Sequence, residues 1–175
     1  VGYLAFNIGK NTKGKDEWSR VGVIFILALA NIFFWSGFEQ AGGTFSLFAR
    51  DNVNRMIGNF EMPVTLFQTF NAIFIVLFAP LFTLLWAFLD KIKLNPNTPL
   101  KFGWGMLCLS IGFFVMAFAF DATQGGTVKV SPLWLILVFL LHTWGELCLS
   151  PIGLSMVTKL APVKLASTMM GVWMG

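Results

Sequence analysis

Residues 130–158 read VSPLWLILVFLLHTWGELCLSPIGLSMVT. The run is apolar enough to enter a bilayer, yet it holds a carboxylate, Glu146, near its middle. His142 stands one turn before that carboxylate and Ser150-Pro151 one turn after. An acidic side chain at the centre of a membrane helix costs about 3 kcal/mol to insert. A group kept there against that cost marks a functional position by default, and the chain has a second one, Glu39.

The rest of the chain agrees with a membrane reading. Charged residues are 11% of the sequence, against about 25% in a soluble domain. Polar segments divide it into a lead over residues 1–20 and apolar spans over 21–49, 62–89, 102–120, 130–158 and, truncated, 165–175. A spanning helix needs about 20 mostly apolar residues. Barrel strands alternate over about 10 residues and do not fit runs this long and uniform. The expected fold is therefore all-α.

The polar segments also give an orientation. Lys10, Lys13, Lys15, Arg20, Lys91, Lys93, Lys101, Lys159 and Lys164 fall on one side, against Arg50, Arg55 and Lys129 on the other. The positive-inside rule puts the lead in the cytoplasm, with the first span running outward. The net charge of +4 comes from these short loops and forms no basic stripe, so no nucleic-acid partner is expected. Cys108 and Cys148 lie in apolar runs and read as packing residues, with no metal spacing. The chain opens on Val1 rather than Met and stops inside an apolar run, which predicts an internal piece of a larger protein.

Helical spacing sorts the polar residues onto faces. Trp35 and Glu39 are four apart, and His142, Glu146 and Ser150 follow at i, i+4 and i+8. Lipid is the wrong neighbour for such stripes, so both should face the bundle interior or a watery cavity. Desolvation disfavours an ionised carboxylate and a nearby cation favours it. A carboxylate held between those influences can exchange protons, and when ionised it can pair with an ammonium group. That chemistry suits a carrier of cationic or zwitterionic solutes. His142 reads either as a proton relay or as a packing residue. Pro80 and Pro151 loosen their helices. Gly145, Gly153 and Gly42-Gly43 allow bending or close approach.

The run GELCLSPIGLSMVTKLAP, residues 145–162, resembles a signature of the proton-dependent oligopeptide transporter family, the peptide branch of the major facilitator superfamily. FFWSGFEQAGGTFSLFA (33–49) resembles that family's seventh helix, FQTFNAIFIVLFAPLFTLLW (67–86) its eighth, and MMGVW (169–173) its eleventh. The resemblance implies the C-terminal helix bundle of a major facilitator, helices seven to ten and part of eleven. The 1–20 lead would then be the end of a cytoplasmic linker. It implies two six-helix halves with the substrate site between them, in the plasma (inner) membrane.

Residue roles follow from the same resemblance. Glu146 resembles the Glu that receives the peptide's amino terminus and exchanges pairing with a Lys of the other half. Glu39 resembles the Glu that pairs with a first-helix Arg in gating and proton coupling. Asn71 resembles the Asn that hydrogen-bonds the peptide, and Trp35, Ser150 and Trp173 resemble pocket-lining positions. His142 matches no such position. The implied function is proton-coupled symport of di- and tripeptides, driven by the proton gradient without a cofactor. The expected partners are the substrate, protons, the bilayer and the N-terminal six-helix half. An alternative is another solute, such as nitrate or an amino-acid derivative. An intramembrane enzyme is disfavoured, because HExxH is missing and the single His leaves no Ser/His/Asp set. A structural scaffold would leave the two intramembrane carboxylates unexplained.

Overall fold

Asp16 and Glu17 fill the first turn of the first helix, α1, Lys15–Phe38, where carboxylates complement the exposed N–H groups. The structure, a computed structural model, describes residues 12, 14–162 and 165–174. Residues 1–11 of the 1–20 lead lie outside the described residues, among them Lys10, as do Lys13 and Lys164 of the charge asymmetry. α1 starts inside the stretch read as linker, because its charged first turn is helical while the apolar run begins later.

The span expected over 21–49 is not one helix. α1 gives way to a 3-10 turn, Glu39–Ala41, and the chain resumes as α2, Thr44–Asn52. The glycine pair makes the break. Gly43 takes φ −103° and ψ −95°, outside the helical region. The N–H groups of Gly42 and Gly43 donate to the carbonyls of Glu39 and Gln40 at 3.1 and 3.2 Å.

A small hairpin follows that the apolar pattern did not signal. β1, Met56–Ile57, pairs antiparallel with β2, Phe60–Glu61. Gly58 turns it at φ +61°, a conformation glycine adopts without penalty. Arg55 ties the hairpin, reaching Glu61 at 2.6 Å and the Met62 carbonyl at 2.9 Å.

The longer helices are α3, Thr65–Lys91, α4, Thr98–Ala122, and α5, Leu133–Leu160, followed by the short α6, Ala166–Met174. Asn97 caps α4, its side-chain oxygen accepting from the Leu100 N–H at 3.1 Å. Among the described residues, four stretches are long and apolar enough to cross a membrane: Lys15–Asn52, Thr65–Lys91, Thr98–Ala122 and Leu133–Leu160. α3 buries only Phe67 and leaves residues such as Val76 and Leu84 exposed, which a bilayer or an apolar partner can cover and water cannot.

The chain forms two compact units. One comprises residues up to Phe33 together with Leu149 onward. Its buried positions on α1, Val21, Ile24, Leu27 and Ala28, recur at helical spacing. The other is Phe34–Cys148, and its core packs Phe45, Phe48, Val53, Phe67, Met116, Leu135 and Phe139 together. A parallel bridge between Val53 and Val130 fixes the end of α2 to the start of α5. Within this unit α3 carries an aromatic ladder, with Phe70–Phe74 and Phe74–Phe78 ring centroids 6.0 and 6.1 Å apart. α5 docks on the ladder through Trp144, whose ring meets Phe78 at 5.6 Å and Phe82 at 6.4 Å.

Candidate functional site

Glycine brings α5 against α4. A Cβ on Gly145 would stand 2.8 Å from the Gly105 carbonyl oxygen, closer than real contacts allow, and a tight 3.1 Å from a Phe34 ring carbon. Gly145 is therefore a notch that lets two backbones meet. With Gly145 seated on α4 and Trp144 on the α3 ladder, the next residue, Glu146, is half-buried and reaches Asn71 of α3.

There the polar contacts form a short chain. Asn71 Nδ2 donates to Glu146 Oε2 at 3.5 Å, and the Thr143 hydroxyl donates to Asn71 Oδ1 at 2.6 Å. The same hydroxyl lies 2.7 Å from the Phe139 carbonyl. The Asn71–Glu146 contact is longer than the usual N–H···O range. An ionised carboxylate has about four lone-pair sites, so Glu146 keeps most of its acceptor capacity for something else. Among the described residues no cation pairs with it.

His142 points elsewhere. It is 1% exposed and lies against Phe38, Phe45 and Phe113, ring centroids 6.1, 5.5 and 5.4 Å away. Neither ring nitrogen meets hydrogen-bond geometry, although the Leu109 carbonyl of α4 is beside the ring. A Cβ on Gly112 would overlap the imidazole, so α4 keeps a glycine where the ring sits. The expected stripe of His142 and Glu146 thus divides, with the imidazole in an aromatic enclosure and the carboxylate beside an amide.

Glu39 lies apart from these contacts, at the end of α1. It is exposed and opens the 3-10 turn one residue beyond α1, and no hydrogen bond or ion pair holds its carboxylate among the described residues. Trp35, on the last turn of α1, is half-buried with its ring edge-on to Phe38 at 5.1 Å. Ser150, on α5, and Trp173, on α6, belong to the other compact unit, where Trp173 is buried. Among the described residues no three His, Cys, Asp or Glu side chains gather as a metal set.

Two contributors escaped the sequence reading. Thr143 lies three residues before Glu146, so its place on that face was available from helical spacing. Gly112 gave no local signal, because its role is set by a ring on another helix.

The profile of the POT family matches residues 2–175. The peptide transporter YePEPT of Yersinia enterocolitica subsp. palearctica serotype O:3 (strain YE-P4) is 47% identical over 160 residues, covering 91% of this chain and 31% of that protein. A di-/tripeptide transporter of Lactococcus lactis subsp. lactis (strain IL1403) is 35% identical, covering 90% of this chain and 32% of its own length. Among solved structures, a peptide transporter POT in complex with sulfate superposes with a TM-score of 0.87 at 32% identity, covering 98% of this chain and 34% of that one. A POT family transporter in complex with 5-aminolevulinic acid gives 0.84 at 29% identity, covering 99% and 36%. The chain spans about a third of the length of the curated relatives it matches. With its helix order and a profile match along nearly its whole length, this chain is an all-α integral membrane protein of the major facilitator type and belongs to the POT family.

Proposed function

We propose that this chain is part of the C-terminal half, helices seven to ten and part of eleven, of a proton-coupled symporter of di- and tripeptides, with Glu146 receiving the substrate's amino group and Asn71 bonding the peptide beside it. The observation that carries the reading is the Asn71–Glu146 contact, 3.5 Å long across two apolar helices. A half-buried carboxylate with spare acceptor sites favours an ammonium group and disfavours an anion. The relatives named as peptide and di-/tripeptide transporters support the substrate class.

Glu39 takes the gating role, forming and breaking an ion pair with a cation of the N-terminal half. Trp35, Ser150 and Trp173 are each proposed as substrate-contacting positions of the complete transporter, on the resemblance of their places in the sequence alone. The proton gradient drives uptake without a cofactor, the two halves rocking about the site by alternating access. In the complete transporter, Glu146→Gln abolishes dipeptide uptake into proteoliposomes under an inward proton gradient. Wild-type uptake by that variant would sink the assignment.

A second reading is a smaller solute with a primary amine. It draws on the POT family transporter solved with 5-aminolevulinic acid. Competition of labelled dialanine uptake separates the readings. Unlabelled dipeptides compete and nitrate does not under the first, whereas 5-aminolevulinic acid outcompetes dipeptides under the second.

A further inference from the structure

Thr143 is fully buried and faces a choice that chemistry forces on it. Its hydroxyl has one proton and two acceptors in reach, Asn71 Oδ1 at 2.6 Å and the Phe139 carbonyl at 2.7 Å. One proton cannot serve both fully. Asn71 is likewise two-faced, offering an N–H₂ on one side of its amide and an oxygen on the other.

Two complete patterns result. In the first, Thr143 donates to Asn71 Oδ1, and Asn71 Nδ2 donates to an ionised Glu146. In the second the amide turns over. Its Nδ2 then donates to Thr143 Oγ1, the hydroxyl proton goes to the Phe139 carbonyl, and Asn71 Oδ1 accepts from a protonated Glu146. In each pattern the hydroxyl, the amide oxygen and one amide N–H are paired, and only a hydroxyl at 143 can act as acceptor in one and donor in the other.

We propose that Thr143 is a positioning residue for Asn71, its hydroxyl holding the amide in either orientation so that the amide matches Glu146 with and without its proton. The proposal rests on the reading of Asn71 and Glu146 as substrate ligands. The other titratable groups on the packed helices leave the chain of contacts alone. His142 is enclosed by phenylalanine rings, and Lys101 lies over the Trp86 ring at 4.3 Å. Cys108 and Cys148 make no hydrogen bond to Asn71, Thr143 or Glu146 among the described residues.

The test compares a variant that keeps shape with one that keeps the hydroxyl, as dipeptide uptake by the complete transporter in proteoliposomes. Thr143→Val keeps the volume and loses the hydroxyl, and KM rises about tenfold, the effect of one unmade buried hydrogen bond. Thr143→Ser loses a methyl group and stays within about twofold of wild type. On Asn71→Ala, adding Thr143→Val changes nothing further. A packing role predicts the reverse order, so wild-type KM for Thr143→Val, or equal impairment of Ser and Val, overturns the proposal, as does an additive double variant. If Thr143→Val is not recovered from membranes, Thr143→Ala against Thr143→Ser reads the same hydroxyl. Glu146→Gln is measured alongside. Wild-type uptake there defeats the functional reading itself, whereas lost uptake there with an unaffected Thr143→Val defeats only the positioning role.

Discussion

Glu146 and Glu39 are carboxylates of the same type in runs of similar apolarity, and the chain builds around them in opposite ways. Glu146 stands within an unbroken helix, with its backbone seated on α4 through Gly145 and its carboxylate beside Asn71. Glu39 stands where α1 yields to a 3-10 turn and a glycine pair, exposed at a joint. A carboxylate on a rigid, packed helix is suited to hold one part of a ligand in register. A carboxylate on a joint is suited to a contact that forms and breaks as helices move.

The largest expected effect separates these roles. With the complete transporter, Glu146→Gln lowers both gradient-driven uptake and dipeptide counterflow by about 100-fold, the scale of losing a buried charged partner. Glu39→Ala loses accumulation against the gradient while counterflow stays within about twofold, as for other exposed positions. Equal loss of both activities in the two variants would erase the distinction between a holding and a coupling carboxylate.

Next comes the packing that makes Glu146 rigid. Gly112→Ala pushes a methyl group into the His142 ring and destabilises the protein by about 1–3 kcal/mol. Gly22→Ala, with nothing within 4 Å of the added carbon, serves as the control. Thermal unfolding in detergent reads the difference. Equal melting temperatures would mean that α4 and α5 are not closely joined at His142.

The smallest effect is expected at His142 itself. Its imidazole is buried among aromatic rings without hydrogen-bond geometry, so an apolar side chain of similar size is close to neutral. His142→Leu therefore keeps uptake within about twofold of wild type. Lost transport at normal membrane expression would return His142 to a proton relay.

These contrasts show which parts of the molecule a sequence can express. Membrane helices were legible because apolarity over about 20 residues is a local property. The break at Glu39 was only half legible. Gly42-Gly43 signalled possible bending, but apolarity continues through it, and the span read as continuous. The 56–61 hairpin left no mark on hydropathy, since Arg55 and Gly58 form it through an ion pair and a positive φ. At the site, spacing grouped His142 with Glu146, whereas contacts with α3 and α4 part them. Helical periodicity gives the face of a residue but not which neighbour occupies that face.

The central claim is that Glu146 recognises a free amino group. Binding of dialanine and of N-acetyl-dialanine to the purified complete transporter, by titration calorimetry, tests it most directly. The wild type is expected to favour dialanine by about tenfold or more, the worth of a charge-assisted hydrogen bond, and Glu146→Gln to bind both equally weakly. Undiminished preference for the free amine in Glu146→Gln would contradict the account.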